Sequence, residues 1–232
     1  MAENVLWELT KLPRHMGGSA GVALYLLGLT VLGIVAPLYF GYALIEVRVL
    51  LLYAALPLLL TPPVMAESVA GERELKPHGT RERMQWINGK IGAGAIYGWA
   101  SAVIVLVLLY GALRLSLGHF ADIPPLFLAG LLLVSLALSL FAASLSAAVA
   151  MSARSAKAAK RTMRQGLLLL LIILLFVSRQ PWAWTRRFAI PETGPAFLEL
   201  AVVIAIVLGS FSVGLARLAL HSAEATEIHL NL

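Results

Sequence analysis

The sequence predicts an all-α integral membrane protein with six transmembrane helices, a short amphipathic helix ahead of them, and a short charged helix between the second and third. Three observations carry this. Of 232 residues, 60% are hydrophobic and 13% charged, where a soluble domain carries about 25% charge, and the mean hydropathy is +0.87. The apolar residues gather in six segments, near 18–45, 49–65, 91–113, 124–151, 165–178 and 195–220. The charges gather between those segments, as they must when a charged side chain costs roughly 2.5–3.5 kcal/mol at the centre of a membrane helix. A crossing needs about 20 residues at 1.5 Å each to traverse a core of about 30 Å. Most segments meet this; the second and fifth meet it least well. The whole chain, 1–232, reads as a single transmembrane domain.

Residues 1–16 place Val5, Leu6, Leu9 and Leu12 at helical spacing with Glu3, Glu8, Lys11 and Arg14 between them and Trp7 beside, the pattern of a helix lying in the membrane interface; a polar tail is the competing reading. Charges as far as Arg14 and the length of the following apolar run exclude a cleavable signal. In the second segment, Pro57, Pro62 and Pro63 predict a bend or unwinding towards its cytoplasmic end. Asp122 before Pro124-Pro125 marks the start of the fourth, with prolines tolerated in a first turn.

Between the second and third segments, Met65–Gly92 holds five basic side chains, Arg73, Lys76, Arg81, Arg83 and Lys90, and four acidic ones, Glu67, Glu72, Glu74 and Glu82. Such a stretch belongs in water or against another protein. Fixing topology or binding anionic lipid needs no carboxylates, so the mixed signs favour a protein partner over a plain solvated loop. Residues 66–74 have helix-forming composition, Pro77-His78-Gly79 break it, and Thr80 is placed to cap a second helix.

Counted by loop, Lys and Arg number 2, 5, 5 and 1 in the amino-terminal segment, 66–90, 152–164 and the tail, and 1, 1 and 3 in the alternate loops. Thirteen against five predicts both termini on the cytoplasmic side. The basic 152–164 loop has no acid, which suits a topological, lipid-contacting role. The loop after the fifth segment pairs Trp182 and Trp184 with Arg186 and Arg187, marking the headgroup level. Glu199 stands about one turn into the sixth segment; it is a candidate pathway residue, or a solvated carboxylate reaching the outer boundary. Gly94, Gly98 and Ser101, Ser135 and Ser139, and Gly209 and Gly214 near Ser210 and Ser212 have the spacing of close helix contacts.

Several function classes are excluded. The absence of cysteine removes disulfides, thiolate metal sites and iron–sulfur clusters. The excess of 18 basic over 12 acidic residues is accounted for by positive cytoplasmic loops, with no nucleic-acid motif beside it. No buried chain of Lys, Asp or His crosses the apolar segments, which disfavours ion-coupled transport. The five histidines fall in loops or at a segment end. No nucleophile elbow, paired carboxylates or phosphate-cradling glycine loop is present, so no catalytic, cofactor-binding or metal residue is assigned.

Glu67-Ser68-Val69-Ala70-Gly71-Glu72-Arg73-Glu74 after an apolar span, with Gly89-Lys90 opening the next, resembles the signature of type-2 ATP-binding-cassette permeases. The basic turn near 152–164 also resembles that family. The chain departs from it after Gly79-Thr80, where Arg81-Glu82-Arg83 replaces a leucine-rich part. The resemblance implies a permease subunit of an exporter in a bacterial or archaeal inner (plasma) membrane, dimeric with itself or a relative, whose 66–83 segment is a coupling helix seated on a separate ATPase subunit. ATP and Mg would belong to that partner, with no cofactor on this chain. Glu67, Gly71, Glu72, Arg73 and Glu74 would make the ATPase contact. The alternative is a non-transporting scaffold or accessory subunit; an intramembrane enzyme is disfavoured.

Overall fold

The computed structural model describes residues 2–16, 18–40, 47–73, 80–118, 123–153, 155–179 and 194–230. These are helical and contain no strand. In chain order they form α1 (Ala2–His15), α2 (Gly18–Thr30), a π-helical turn (Val31–Val35), α3 (Ala36–Phe40), α4 (Val47–Ala54), α5 (Pro57–Arg73), α6 (Thr80–Leu117), α7 (Pro125–Ser152), α8 (Ala156–Arg179) and α9 (Gly194–Leu230).

Proline sets the irregularities. Pro37 has no amide to donate, and just ahead of it the first span widens into its π turn, with the Ala36 amide bonding Val31 O. The second span breaks at Ala55–Leu56, because Pro57 cannot donate to Tyr53 O and the Leu56 amide does so instead at 3.2 Å. Further along, Pro62 and Pro63 lie inside α5, which continues through them without unwinding. At the fourth span Pro124 and Pro125 occupy the first turn as expected. Asp122 lies outside the described residues.

The central helix is α7, against which α5, α6 and α9 all pack. Ser139 and Ser146 turn their hydroxyls back to Ser135 O and Ala142 O, so polar side chains are carried inside the bundle on the helix's own carbonyls. Close contacts between helices depend on glycine: a β-carbon at Gly94 or Gly98 of α6 would overlap Met65 or Thr61 of α5, and one at Gly130 would overlap Phe197 of α9. Gly209 and Gly214 differ from expectation, facing open space, because α9 turns its other side to α7. The core has two parts, an alanine-rich cluster around Met65, Val69, Ile87 and Ala147 and a bulkier one around Leu50, Leu109, Phe127 and Phe197.

Five helical stretches among the described residues are long and apolar enough to cross a membrane: Gly18–Phe40, Val49–Glu72, Met84–Ser116, Pro125–Ser152 and Pro195–His221. The expected sixth lies within α8. That helix opens with Lys157, Lys160, Arg161 and Arg164, so most of the basic segment expected as a loop is helical, and its apolar run, Leu167–Val177, covers only about 16 Å. Its marginal length is therefore the weak point of a six-span layout. The Trp182 and Trp184 loop lies outside the described residues.

Because the chain has no cysteine, topology is directly measurable. The distribution of Lys and Arg predicts that Glu3→Cys and His229→Cys are labelled by an impermeant maleimide from the same side of the membrane. Labelling from opposite sides would mean that α8 does not cross.

Candidate functional site

Lys90 occupies the core face of α6, in line with Ile87, Ile91 and Gly94. Its side chain is 1% exposed. An ammonium removed from water needs opposite charge and hydrogen-bond acceptors around it. Three side chains from two helices supply them. Glu8 of α1 places Oε2 2.5 Å from Lys90 Nζ, Glu72 of α5 places Oε1 at 2.9 Å, and the Ser68 hydroxyl accepts a hydrogen bond from the ammonium at 2.7 Å. Ser68 and Glu72 are four residues apart, so one face of α5 presents both.

A second ring of side chains completes the cluster. Lys11 Nζ lies 3.3 Å from Glu8 and 3.5 Å from Glu72. The Trp86 indole donates to Glu72 Oε2 at 3.1 Å, and His15 Nε2 is 3.8 Å from Glu72. Burial pushes the His15 pKa below its usual value, and the nearby Lys90 ammonium pushes it the same way, against the opposing pull of Glu72, Glu67 and Glu8. His15 is accordingly neutral near pH 7, and the two lysines balance the two carboxylates.

This arrangement sets the orientation of α1. An interfacial helix that merely rests on the bilayer turns its charges to water. Here Glu8, 6% exposed, faces the bundle while Leu6 and Trp7, 63% and 64% exposed, face outward. Val5 fits against Gly92, where a β-carbon would sit 3.0 Å from Val5 Cγ2. The amphipathic helix is thus docked on α6 by Glu8 and Val5 together, while Thr10 and Arg14 are exposed.

The residues expected to contact a partner divide by face. Glu72 is turned into the chain. Glu67, five residues earlier, is half-buried and pairs with Lys160 of α8 at 2.6 Å. Gly71 faces open space. Arg73 ends α5, and Glu74 lies outside the described residues. The 66–73 stretch is not a separate polar helix: Ala66, Val69 and Ala70 continue the apolar stripe of α5 and are fully buried, so the helix has no reason to stop at the end of the apolar segment. Its contacts among the described residues are with helices of the same chain. The second helix does begin at Thr80; the break at 77–79 lies outside the described residues. Glu199 is exposed on α9, away from the buried Phe197 and Ala201, and is not part of the cluster.

Glu8, Lys11 and His15 were not singled out as site residues, and Lys90 only as part of a motif. The available signal was a lysine within the apolar stripe of α6, which demands a counter-charge. Nothing local indicated that α1 would provide half of it. Among the described residues no group of His, Asp and Glu could hold a metal ion. No family model, curated protein or solved structure matches the chain.

Two predictions follow from the cluster. Lys90→Met leaves two carboxylates facing each other and should cost about 3–5 kcal/mol, read as a lowered unfolding midpoint in detergent; adding Glu8→Gln and Glu72→Gln should recover most of it. Because the His15 pKa is lowered on docking, the undocked state binds more protons below about pH 6.5. Docking of α1 is complete above that pH and weakens as pH falls through the His15 pKa. Hydrogen exchange across residues 2–15 should rise over this interval, and His15→Gln should flatten the response.

Proposed function

We propose that this chain is the membrane-spanning permease subunit of an ATP-driven exporter, working as a dimer with itself or a relative and coupled through residues 66–83 to a separate ATPase subunit that carries ATP and Mg. In this reading it lies in a bacterial or archaeal inner membrane with both termini cytoplasmic. The observation that carries the proposal is the division of the charged motif between two faces of α5. Ser68 and Glu72 anchor inward on Lys90. Glu67 and Gly71 lie on the accessible face of the same helix, immediately ahead of the segment joining it to α6.

A force applied to that segment by closure of an ATPase pair would reach α5, and through Lys90 it would reach α1 and α6 together. Three elements would then move as a unit, because pulling one partner away from a buried ammonium costs several kcal/mol. The partner contact falls to Gly71, Arg73 and Glu74, while Glu72 serves as the internal anchor and Glu67 stays with Lys160 of α8. Glu199 would face a pathway only where a second subunit covers α9. The scaffold reading retains one specific observation in its favour: the charges of Glu72 and Glu67 are both neutralised within the chain.

Cross-linking carboxylates to amines in the complex purified from its own membranes tests the proposal. An ATPase subunit attached within 66–90 is the expected result; recovery of other membrane subunits without any nucleotide-binding protein would establish the scaffold reading. In a reconstituted complex, Arg73→Ala with Glu74→Ala should reduce transport per ATP hydrolysed by tenfold or more, equivalent to about 1.4 kcal/mol of lost coupling.

A further inference from the structure

A cavity of about 380 Å³ lies beside the charge cluster, between the α1–α2 junction, α5, α6 and α8. Its two ends differ in chemistry. On α5, Leu60, Pro63, Val64 and Glu67 line it at the i, i+3, i+4, i+7 spacing of a single helix face, so an apolar wall about 10 Å long ends in a carboxylate. Leu24 and Tyr25 of α2 form the facing wall. There Tyr25 stacks on Tyr97 at 5.4 Å between ring centroids and its hydroxyl is held by Ser101. At the polar end stand Glu67 and Lys160, 2.6 Å apart and 39% and 40% exposed, with His15 beside them.

The apolar end lies within the spans and the polar end at their margin. An ion pair as exposed as Glu67–Lys160 is worth at most about 1 kcal/mol, so its two members are available to exchange partners. Together they offer one carboxylate and one ammonium at adjacent positions. The complementary headgroup carries a phosphate beside an ammonium that has hydrogens to donate. We infer that this cavity is a binding site for a zwitterionic phospholipid with a primary ammonium, the phosphate on Lys160, the ammonium on Glu67, and the start of one acyl chain along Leu60, Val64 and Leu24. A volume of this size falls at the lower end of ligand pockets, which fits part of one chain with its headgroup at the rim. An anionic lipid would bring no ammonium to Glu67, and a quaternary ammonium would give Glu67 no hydrogen bond.

The inference stands apart from the exporter reading, since binding is measured on this chain with neither ATPase nor nucleotide present. The purified full-length chain is titrated in detergent with phosphatidylethanolamine, phosphatidylcholine or phosphatidylglycerol of identical acyl chains, and bound lipid is counted by native mass spectrometry. One saturable phosphatidylethanolamine is expected, about tenfold tighter than the other two, the scale of one charge-assisted hydrogen bond. Lys160→Ala and Glu67→Gln, both at accessible positions, should each remove that preference, and Val64→Trp should remove saturable binding by filling the cavity. Equal affinity for the three lipids would overturn the inference. So would a preference for phosphatidylethanolamine that persists in both Lys160→Ala and Glu67→Gln.

Discussion

A lysine ammonium inside a helical bundle is tolerable only if carboxylates reach it, and Lys90 places that demand on the rest of this structure. Desolvating such an ion costs several kcal/mol, recovered only with close opposite charge and satisfied hydrogen bonds. Glu8, Glu72 and Ser68 supply both. Glu8 comes from α1, and Ser68 and Glu72 from the last turns of α5. The amino-terminal helix is held by the Glu8–Lys90 pair together with the contact of Val5 on Gly92. The last turns of α5 are held to the first turns of α6 across a connection rich in charge.

The same demand explains why the motif region is packed rather than extended into solvent. Once Glu72 is paired inside the chain, Ala66, Val69 and Ala70 can complete the alanine-rich core with Ile87 and Ala147, and α5 continues as one helix beyond its apolar portion. Small side chains allow close approach at this end, whereas leucines and phenylalanines fill the other.

The cluster and the lipid cavity share His15 and adjoin through α5. A helix docked by charge, beside a cavity with a charged rim, leaves the outward face of α1, with Leu6 and Trp7, to meet the membrane. Aromatic and aliphatic side chains at that position suit the headgroup boundary.

Much of the architecture was legible in the sequence because it depends on local rules. Apolar length marks five of the spans, the Pro124-Pro125 pair marks the start of α7, Thr80 the start of α6, and the glycines of α6 its close contact with α5. What depended on distant residues was not legible. Of the three prolines of the second segment, Pro57 coincides with a break at Ala55–Leu56, whereas Pro62 and Pro63 lie within one helix, and nothing local separates the two outcomes. Amphipathicity identified α1 as a helix with two faces; it could not say which face would turn inward, since that choice rests on a lysine 82 positions after Glu8. The sequence by itself determined the membrane class, the helical content and the places where charge must be answered. Only the tertiary structure decided which charges answer one another, because ion pairing in a low-dielectric interior depends on separation in space, and residues 8, 72 and 90 come together only when three helices pack.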